Sequence, residues 1–355
     1  MVEIWYGILA FMLTYYVVQD SRNFGAAILH LIVARTPAER LQVLTTVAPV
    51  YSWHEVWLVG FGGTLFLAFP QIYATSFSSY YLALFLILWC FILRGVTLEV
   101  RGEFDDRMWR SFWDFAFAFS NVLLAILFGA ALGNIVRGVP LDSNGEFAMA
   151  FFTDFGVRGN VGLLDWYTIS VSIVCLVVAT AHGANYLTIK TDGPVHFRSA
   201  TIARWLWSAI PFLFAIILVE TIYVRPGLFP GMMRNPVAWA GIALFLTAAA
   251  TLYTGLRQHL EQRVFCGSSL LIASVLITGA AAIFPEILHS TFGPENSLTV
   301  YSSAASMKSL KLALIWWPFA LMLAWFYSRF IARHYSGRVK IIPDSQDGKI
   351  KEGKL

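Results

Sequence analysis

The sequence predicts an all-α, polytopic membrane protein with about nine transmembrane helices. Of its 355 residues, 58% are hydrophobic and only 13% are charged, and the mean hydropathy is +0.66. A soluble domain carries about 25% charged residues, so these residues could not cover a water-facing surface. Nine apolar stretches approach or reach the roughly 20 residues that a helix needs to cross a bilayer. The composition therefore excludes a soluble enzyme, and nothing in it indicates nucleic-acid binding.

The predicted spans follow one another along a single integral membrane domain, residues 1–335. The first, at 4–18, is interrupted at Asp20–Asn23 and continues as a half-helix; the second is bent because Pro70 lacks a backbone N–H. No cleavable signal pattern is present, so we expect the first span to be retained. The polar, basic residues 336–355 predict a disordered cytoplasmic tail. The nine spans are 4–18, 56–74, 80–93, 112–132, 161–181, 203–224, 238–256, 264–288 and 310–332.

The Lys and Arg residues are distributed unevenly between the loops. Most of the 25 Lys and Arg residues fall after the odd-numbered spans and after the ninth. Cytoplasmic loops are enriched in Lys and Arg, so we predict that these loops and the C-terminus are cytoplasmic and that the N-terminus is periplasmic. Adding or removing one span would scramble this alternation. The three cysteines lie in or beside apolar spans without a CxxC pattern, which predicts neither a disulfide nor a zinc site.

Two polar groups on the first two spans are candidates for chemistry. Asp20, with its neighbours at the first break, is either part of a capped helix end or a half-buried acid on a proton or quinone route. His54 and Glu55 precede the second span, where they either complement the helix dipole or form a proton intake, because histidine titrates near neutral pH. Trp57 follows one turn later, and it belongs either to an interfacial aromatic belt or to a quinone contact.

Charged residues also lie at the end of the third span and at the start of the fourth. At the end of the third span, the sequence predicts an interfacial ion cluster of Arg94, Glu99 and Arg101. Asp114 lies four residues after Arg110, a spacing that predicts an ion pair on one helix face. The apolar neighbours of Asp114 predict that it is substantially desolvated, so it is either structurally paired or a proton relay. No phosphate loop, nucleophile triad or paired haem ligand is found, which predicts no self-contained catalytic site.

Seven blocks of sequence, in order, resemble subunit II of the cytochrome bd quinol oxidases, the subunit without haem. The resemblance runs from the first span to about Tyr335. The blocks are EVWLVGFGGTLFLAFPQIYA, YYLALFLILWCFILRGVTLEVR, MWRSFWDFAFAFSN, GNIVRGVPLD, AHGANYLTIKTDG, ITGAAAIFP and NSLTVYSSAAS.

The resemblance implies a bacterial inner-membrane subunit that supports a haem-bearing subunit I and contributes to proton, and in part oxygen, access. Subunit I would carry haems b and d, and the heterodimer would oxidise quinol and reduce dioxygen. A structural quinone occurs in some members, and the expected partners also include a small single-helix subunit and membrane lipid. The alternatives are a related membrane redox complex with another partner or acceptor, and a lone transporter.

The chain departs from the family pattern at proton-handling positions. Ser52 occupies the place of the acid that the family uses for proton uptake, and Asn23 replaces one of two acids near the first break. The residues that survive are Asp20, Glu55, Glu99, Arg101 and Asp114. These departures predict a proton route that is either altered or weakened, with His54 as the candidate to replace the missing acid.

Overall fold

The computed structural model describes residues 1–340, in which helices predominate, as the sequence predicts. A short antiparallel hairpin, β1 (Glu286–Leu288) and β2 (Leu298–Thr299), follows the eleventh helix. The helices are α1 (Val2–Val33), α2 (Pro37–Val47), α3 (Tyr51–Ala68), α4 (Pro70–Ser79), α5 (Tyr81–Val100), α6 (Arg107–Arg137), α7 (Trp166–Lys190), α8 (Pro194–Val224), α9 (Leu228–Met233), α10 (Pro236–Gln258), α11 (Glu261–Ile283) and α12 (Met307–His334).

Eight of these helices are long and apolar enough to cross a membrane, namely α1, α5, α6, α7, α8, α10, α11 and α12. They correspond to eight of the nine predicted spans. In the most apolar 18-residue stretch of α5 and of α8, only 17% of the residues are buried within the chain. In α12 the share is 11%. Large apolar side chains therefore face outward, as expected of helices whose surroundings are lipid or another apolar subunit.

The predicted second span is divided between two helices. The backbone leaves the helical conformation at Phe69 (φ −136°, ψ 64°), and Pro70 begins α4. Proline is well suited to the first position of a helix because its missing N–H would be unpaired there anyway. The predicted bend at Pro70 is thus a complete break.

The break predicted in the first span is wrong. Helix α1 runs without interruption through Asp20–Asn23 for 32 residues, about 48 Å at 1.5 Å per residue. No proline interrupts it, and Asp20 and Arg22 bond to side chains of other helices instead of capping α1. The polar residues therefore lie in the middle of a transmembrane helix.

Close packing of α1 against α7 carries these polar residues into the interior. A Cβ on Gly25 would lie 1.9 Å from the carbonyl oxygen of Ala179, and one on Gly183 would lie 2.2 Å from the Gly25 carbonyl carbon. Small residues of this kind let helix backbones approach closely in membranes. Around this contact, buried apolar side chains of α1, α2, α6, α7, α8, α10 and α11 form the largest core cluster.

Two predicted span limits are wrong for local reasons. Residues 161–165 of the fifth span are not helical, because the Asp165 carboxylate caps α7 by accepting from the N–H groups of Tyr167 and Thr168. The eighth span ends at Ile283 instead of residue 288, since Pro285 cannot continue a helix and the chain turns into β1.

The first residues of the predicted tail make specific contacts. The N–H of Val339 donates to the carbonyl of Lys190 at 2.7 Å, and Arg338 pairs with Asp192 at 2.7 Å and Glu261 at 2.6 Å. Residues 336–340 thus connect the end of α12 to the α7–α8 turn and to α11. The rest of the predicted disordered tail, 341–355, lies outside the described residues.

Acid should weaken the β1–β2 hairpin through Glu286. His289 Nδ1 donates to this carboxylate at 2.8 Å and Arg225 also lies at 2.8 Å, and these contacts hold the pKa of Glu286 below its usual value. A carboxylate with a depressed pKa stabilises the fold above its unfolded pKa and loses this effect as pH falls through the folded value. We expect Glu286→Gln to lower thermal stability modestly at pH 7, and this deficit to shrink below about pH 4.5.

The matched control is Glu295→Gln, which changes an exposed carboxylate in the same hairpin that makes no ion pair within residues 1–340. Thermal unfolding of both variants and the unaltered chain across pH 3–7 is the measurement. A Glu286→Gln deficit that stayed constant across this range would contradict the assignment.

Candidate functional site

A buried ion pair joins the middle of α1 to α5. Arg94 donates from Nη1 and Nη2 to the two carboxylate oxygens of Asp20, at 3.1 and 3.2 Å, and both side chains are fully buried. The Nη2 of Arg94 also bonds to Glu55 at the start of α3. The Arg94 guanidinium therefore binds Asp20 of α1 through two parallel hydrogen bonds and Glu55 of α3 through one. Its planar donors suit such carboxylate contacts.

Aromatic rings surround this guanidinium. The Arg94 Cζ lies 5.2 Å from the ring centre of Phe24, 5.0 Å from that of Phe91 and 5.8 Å from that of Tyr51. Such rings attract the cation and exclude water from it. Glu55 is the acid of this group that reaches the surface, because its side chain is 29% exposed whereas Arg94 and Asp20 are fully buried.

His54 lies beside the ion pair and is nearly fully buried. Its Nδ1 is 2.6 Å from the Asn23 amide nitrogen, and its Nε2 is 3.0 Å from Nη2 of Arg22. A guanidinium can only donate, so Nε2 accepts from Arg22. The Asn23 amide nitrogen donates to Asp20 at 3.0 Å. We call Asp20, Arg22, Asn23, His54, Glu55 and Arg94 the Asp20 cluster.

A second buried group forms around Asp114 on α6. Arg101 donates to both of its carboxylate oxygens, at 2.5 Å from Nε and 3.2 Å from Nη2, and Arg40 of α2 donates at 3.1 Å. His30 Nε2 lies 2.8 Å from Oδ1 of Asp114, and both side chains are buried. We call His30, Arg40, Arg101 and Asp114 the Asp114 cluster.

Within the described residues, the imidazole of His30 has one bonded and one unbonded nitrogen. Its Nε2–H donates to Asp114, because an ionised carboxylate only accepts. Its Nδ1 is buried and has no hydrogen-bond partner among residues 1–340. A carboxylate that fixes the tautomer of a histidine and stabilises its protonated form is a common device in proton transfer. Sequence reasoning missed His30, because a histidine in a predicted half-span carries no signal until its partner on α6 is known.

Both clusters include a residue of α1 and a residue at or near the end of α5. His30 follows Asp20 by ten residues on α1, a rise of about 15 Å, and Arg101, the C-cap of α5, follows Arg94 by seven residues, about 10 Å. Thr97 is buried between the two arginines. The clusters therefore lie at two depths of one helix bundle, and the Asp114 cluster is nearer the loops predicted to be cytoplasmic.

Two predictions of charge pairing are wrong. Arg110 bonds to Asp105 at 2.8 Å at the surface instead of to Asp114. Arg94 and Arg101 do not form an interfacial cluster with Glu99, which is exposed; they reach inward to acids on other helices. Spacing along one helix could not reveal these partners, because the interior acids come from helices far away in sequence.

Ser52, which stands where the family has an acid, is exposed at the start of α3. Trp57, the candidate quinone contact, is only 3% exposed and packs against Tyr15 with ring centres 4.3 Å apart. Trp57 is thus covered by other side chains of this chain and exposes little surface for contact with a quinone.

The metal-ligating side chains of the described residues are scattered. Within residues 1–340 there is no group of three or more His, Cys, Asp or Glu side chains placed to hold a metal ion. The buried imidazoles are bonded within the chain, His30 to Asp114, His54 to Arg22 and His182 to Ser268 at 2.8 Å. His182 lies inside α7.

Comparisons with known proteins agree with the sequence blocks. A profile of cytochrome bd terminal oxidase subunit II matches residues 1–334. The chain is 28% identical to the probable cytochrome oxidase subunit 2 of Haemophilus influenzae and 25% identical to the cytochrome bd-I ubiquinol oxidase subunit 2 of Escherichia coli K12. Each match covers 93% of this chain and 94% of the relative.

The fold also matches a solved structure, that of the bd oxidase from Geobacillus thermodenitrificans. The TM-score is 0.69 at 15% identity, and the match covers 94% of this chain and 97% of the other. The resemblance found in the sequence is thus confirmed along nearly the whole chain. This chain belongs to the cytochrome bd terminal oxidase subunit II family.

Proposed function

We propose that this chain is the haem-free membrane subunit of a bd-type quinol:dioxygen oxidoreductase in the bacterial inner membrane. Its partner is a haem-bearing subunit I, which supplies electron transfer from quinol and oxygen reduction at its haems. A small single-helix subunit joins the complex in this proposal. The chain itself shapes the partner and brings protons toward it.

The observation that supports proton access is the pair of buried clusters shared by α1 and α5. Ionisable groups inside a membrane are costly and usually functional. His30 and Asp114 lie at the end predicted to face the cytoplasm, and Glu55 is the partly exposed member of the deeper group. Protons would be taken up at His30–Asp114 and handed outward at Glu55 toward the partner subunit. The 10–15 Å between the clusters exceeds one hydrogen bond, so water must complete this path.

Within this route the residues have different tasks. His30 exchanges the proton at its free Nδ1, and Asp114 orients the ring and stabilises its charged form. Arg101 and Arg40 hold the Asp114 carboxylate in place. In the deeper cluster His54 is a positioning residue. Its Nε2 already accepts a hydrogen bond from Arg22, so this nitrogen is not free to take up a proton. Glu99 is exposed and can only collect protons at the surface.

The complex itself is tested by purification of the tagged full-length chain from its native membrane. We expect a homologous haem-bearing subunit to co-purify, with b- and d-type haem absorbance and quinol-dependent oxygen uptake. Recovery of the chain alone, without haem absorbance, would contradict the proposal.

A second candidate is a related membrane redox complex with another partner or acceptor. It is favoured by Ser52 and Asn23 at family acid positions and by the Arg22 contact that occupies His54. The same purification separates the two candidates. A haem-bearing partner that lacks d-type absorbance and takes up no oxygen with quinol would favour the second.

A further inference from the structure

A groove at the membrane boundary lies outside both clusters. It has a volume of about 330 Å³ and runs between the end of α1 and the first turns of α8. Its lining residues are Ile32, Arg35, Phe197, Arg198, Thr201 and Ile202. Because both helices are membrane spans, their adjoining ends place this groove, which we call the Arg35/Arg198 groove, at the level of lipid headgroups.

Arg198 is fixed at one side of the groove. Its Nη1 donates to the carbonyl of Val33 at 2.7 Å and to the Glu39 carboxylate at 2.9 Å. Glu39 is itself buried and held by the backbone N–H groups of Arg35 and Thr36, at 2.6 and 3.2 Å. The guanidinium is therefore held in place before any ligand arrives. Its Nε and Nη2 make no hydrogen bond within residues 1–340 and remain as donors.

Arg35 supplies a second cation. Its side chain is exposed and forms no ion pair within residues 1–340. Glu39 offsets one of the two positive charges, so the groove keeps a surplus of one. Two guanidinium groups suit the oxygens of a single phosphate, because their planar donors match its geometry.

The other walls of the groove are apolar. Ile32 is 56% exposed and Phe197 is 69% exposed, and Trp205, 76% exposed, follows two turns farther along α8. A free phosphate ion would gain nothing from these surfaces, whereas a lipid acyl chain would cover them. Exposed tryptophan at this level is typical of helices anchored at the bilayer interface.

We propose that the Arg35/Arg198 groove binds the phosphate of an anionic phospholipid from the surrounding bilayer. The phosphate contacts the guanidinium groups of Arg35 and Arg198, and an acyl chain lies along Ile32 and Ile202. The surplus positive charge favours an anionic headgroup over a zwitterionic one. The inference is independent of the proton route and of the identity of the partner subunit.

The test uses the purified complex in detergent after delipidation, titrated with phosphatidylglycerol and followed by native mass spectrometry and thermal unfolding. Arg35→Gln is the informative change, because Arg198 also ties α8 to Val33 and Glu39 and its loss would disturb the fold. We expect Arg35→Gln to weaken phosphatidylglycerol binding about tenfold, since it removes a charge-assisted hydrogen bond. Arg204→Gln, an equal charge change at an exposed position on α8, should bind like the unaltered protein.

Further titrations separate the sources of phosphate. Phosphatidylcholine should bind more weakly than phosphatidylglycerol, and inorganic phosphate should not displace the lipid at millimolar concentration. Equal binding by the Arg35→Gln variant and the unaltered protein, equal binding of the two lipids, or displacement by inorganic phosphate would each overturn the proposal.

Discussion

Replacing Asp114 by asparagine should slow quinol-dependent oxygen uptake by about 100-fold, the range in which a positioned acid–base group acts, while haem absorbance is mostly retained. Asparagine keeps the shape of the side chain but cannot stabilise a proton on His30, whose Nε2 lies 2.8 Å from the carboxylate. Oxygen uptake and haem spectra of the purified complex, measured across pH, test this expectation.

A second variant separates proton transfer from structure, because Asp114→Asn also leaves Arg101 and Arg40 without their acid. His30→Gln keeps a donor that can reach Asp114 and leaves the ion pairs intact, but it has no site for an exchangeable ring proton. We expect the same loss of oxygen uptake with normal haem content. Asp105→Asn, which alters a surface pair with Arg110, is the matched control. Unchanged turnover in His30→Gln and Asp114→Asn at every pH would remove this pair from the route.

Replacing Arg94 by methionine should largely abolish assembly of the complex. The change leaves the fully buried Asp20 carboxylate without its cation and also removes the partner of Glu55. Breaking a buried ion pair from one side costs about 3–5 kcal/mol, a large part of the 5–15 kcal/mol that stabilises a typical domain. Yield and thermal unfolding of the detergent-purified complex measure the effect.

The double variant Asp20→Leu/Arg94→Met distinguishes structural loss from lost proton conduction. Apolar replacement of a whole buried ion pair is often neutral, so we expect the double variant to recover much of the stability that Arg94→Met loses. Oxygen uptake should remain low if Asp20 lies on the proton route. Arg110→Met, which removes a surface pair with the exposed Asp105, should change neither property. Normal assembly of Arg94→Met would show that the Asp20 cluster is not needed for the fold.

The membrane architecture was predictable from the sequence because it depends on composition and length. A run of about 20 apolar residues is a span wherever it occurs, and eight of the nine predicted spans stand as single long helices. The limits that were wrong depend on single side chains, such as Asp165 at the start of α7 and Pro285 after α11. The family followed from the order of seven blocks, which no single motif would have established.

The partners of the charged residues were decided by tertiary structure alone. Sequence spacing suggested that Asp114 pairs with Arg110 and that Asp20 ends a helix, since a linear pattern shows only neighbours on the same helix. Close packing at Gly25 and Gly183 brings α1 into the bundle, and there Asp20 meets Arg94 and His30 meets Asp114. The sequence thus determined which ionisable groups enter the membrane, because hydropathy is additive along the chain. Only the fold decided which of them pair, because an ion pair depends on the distance between residues far apart in the chain, such as His30 and Asp114, 84 positions apart.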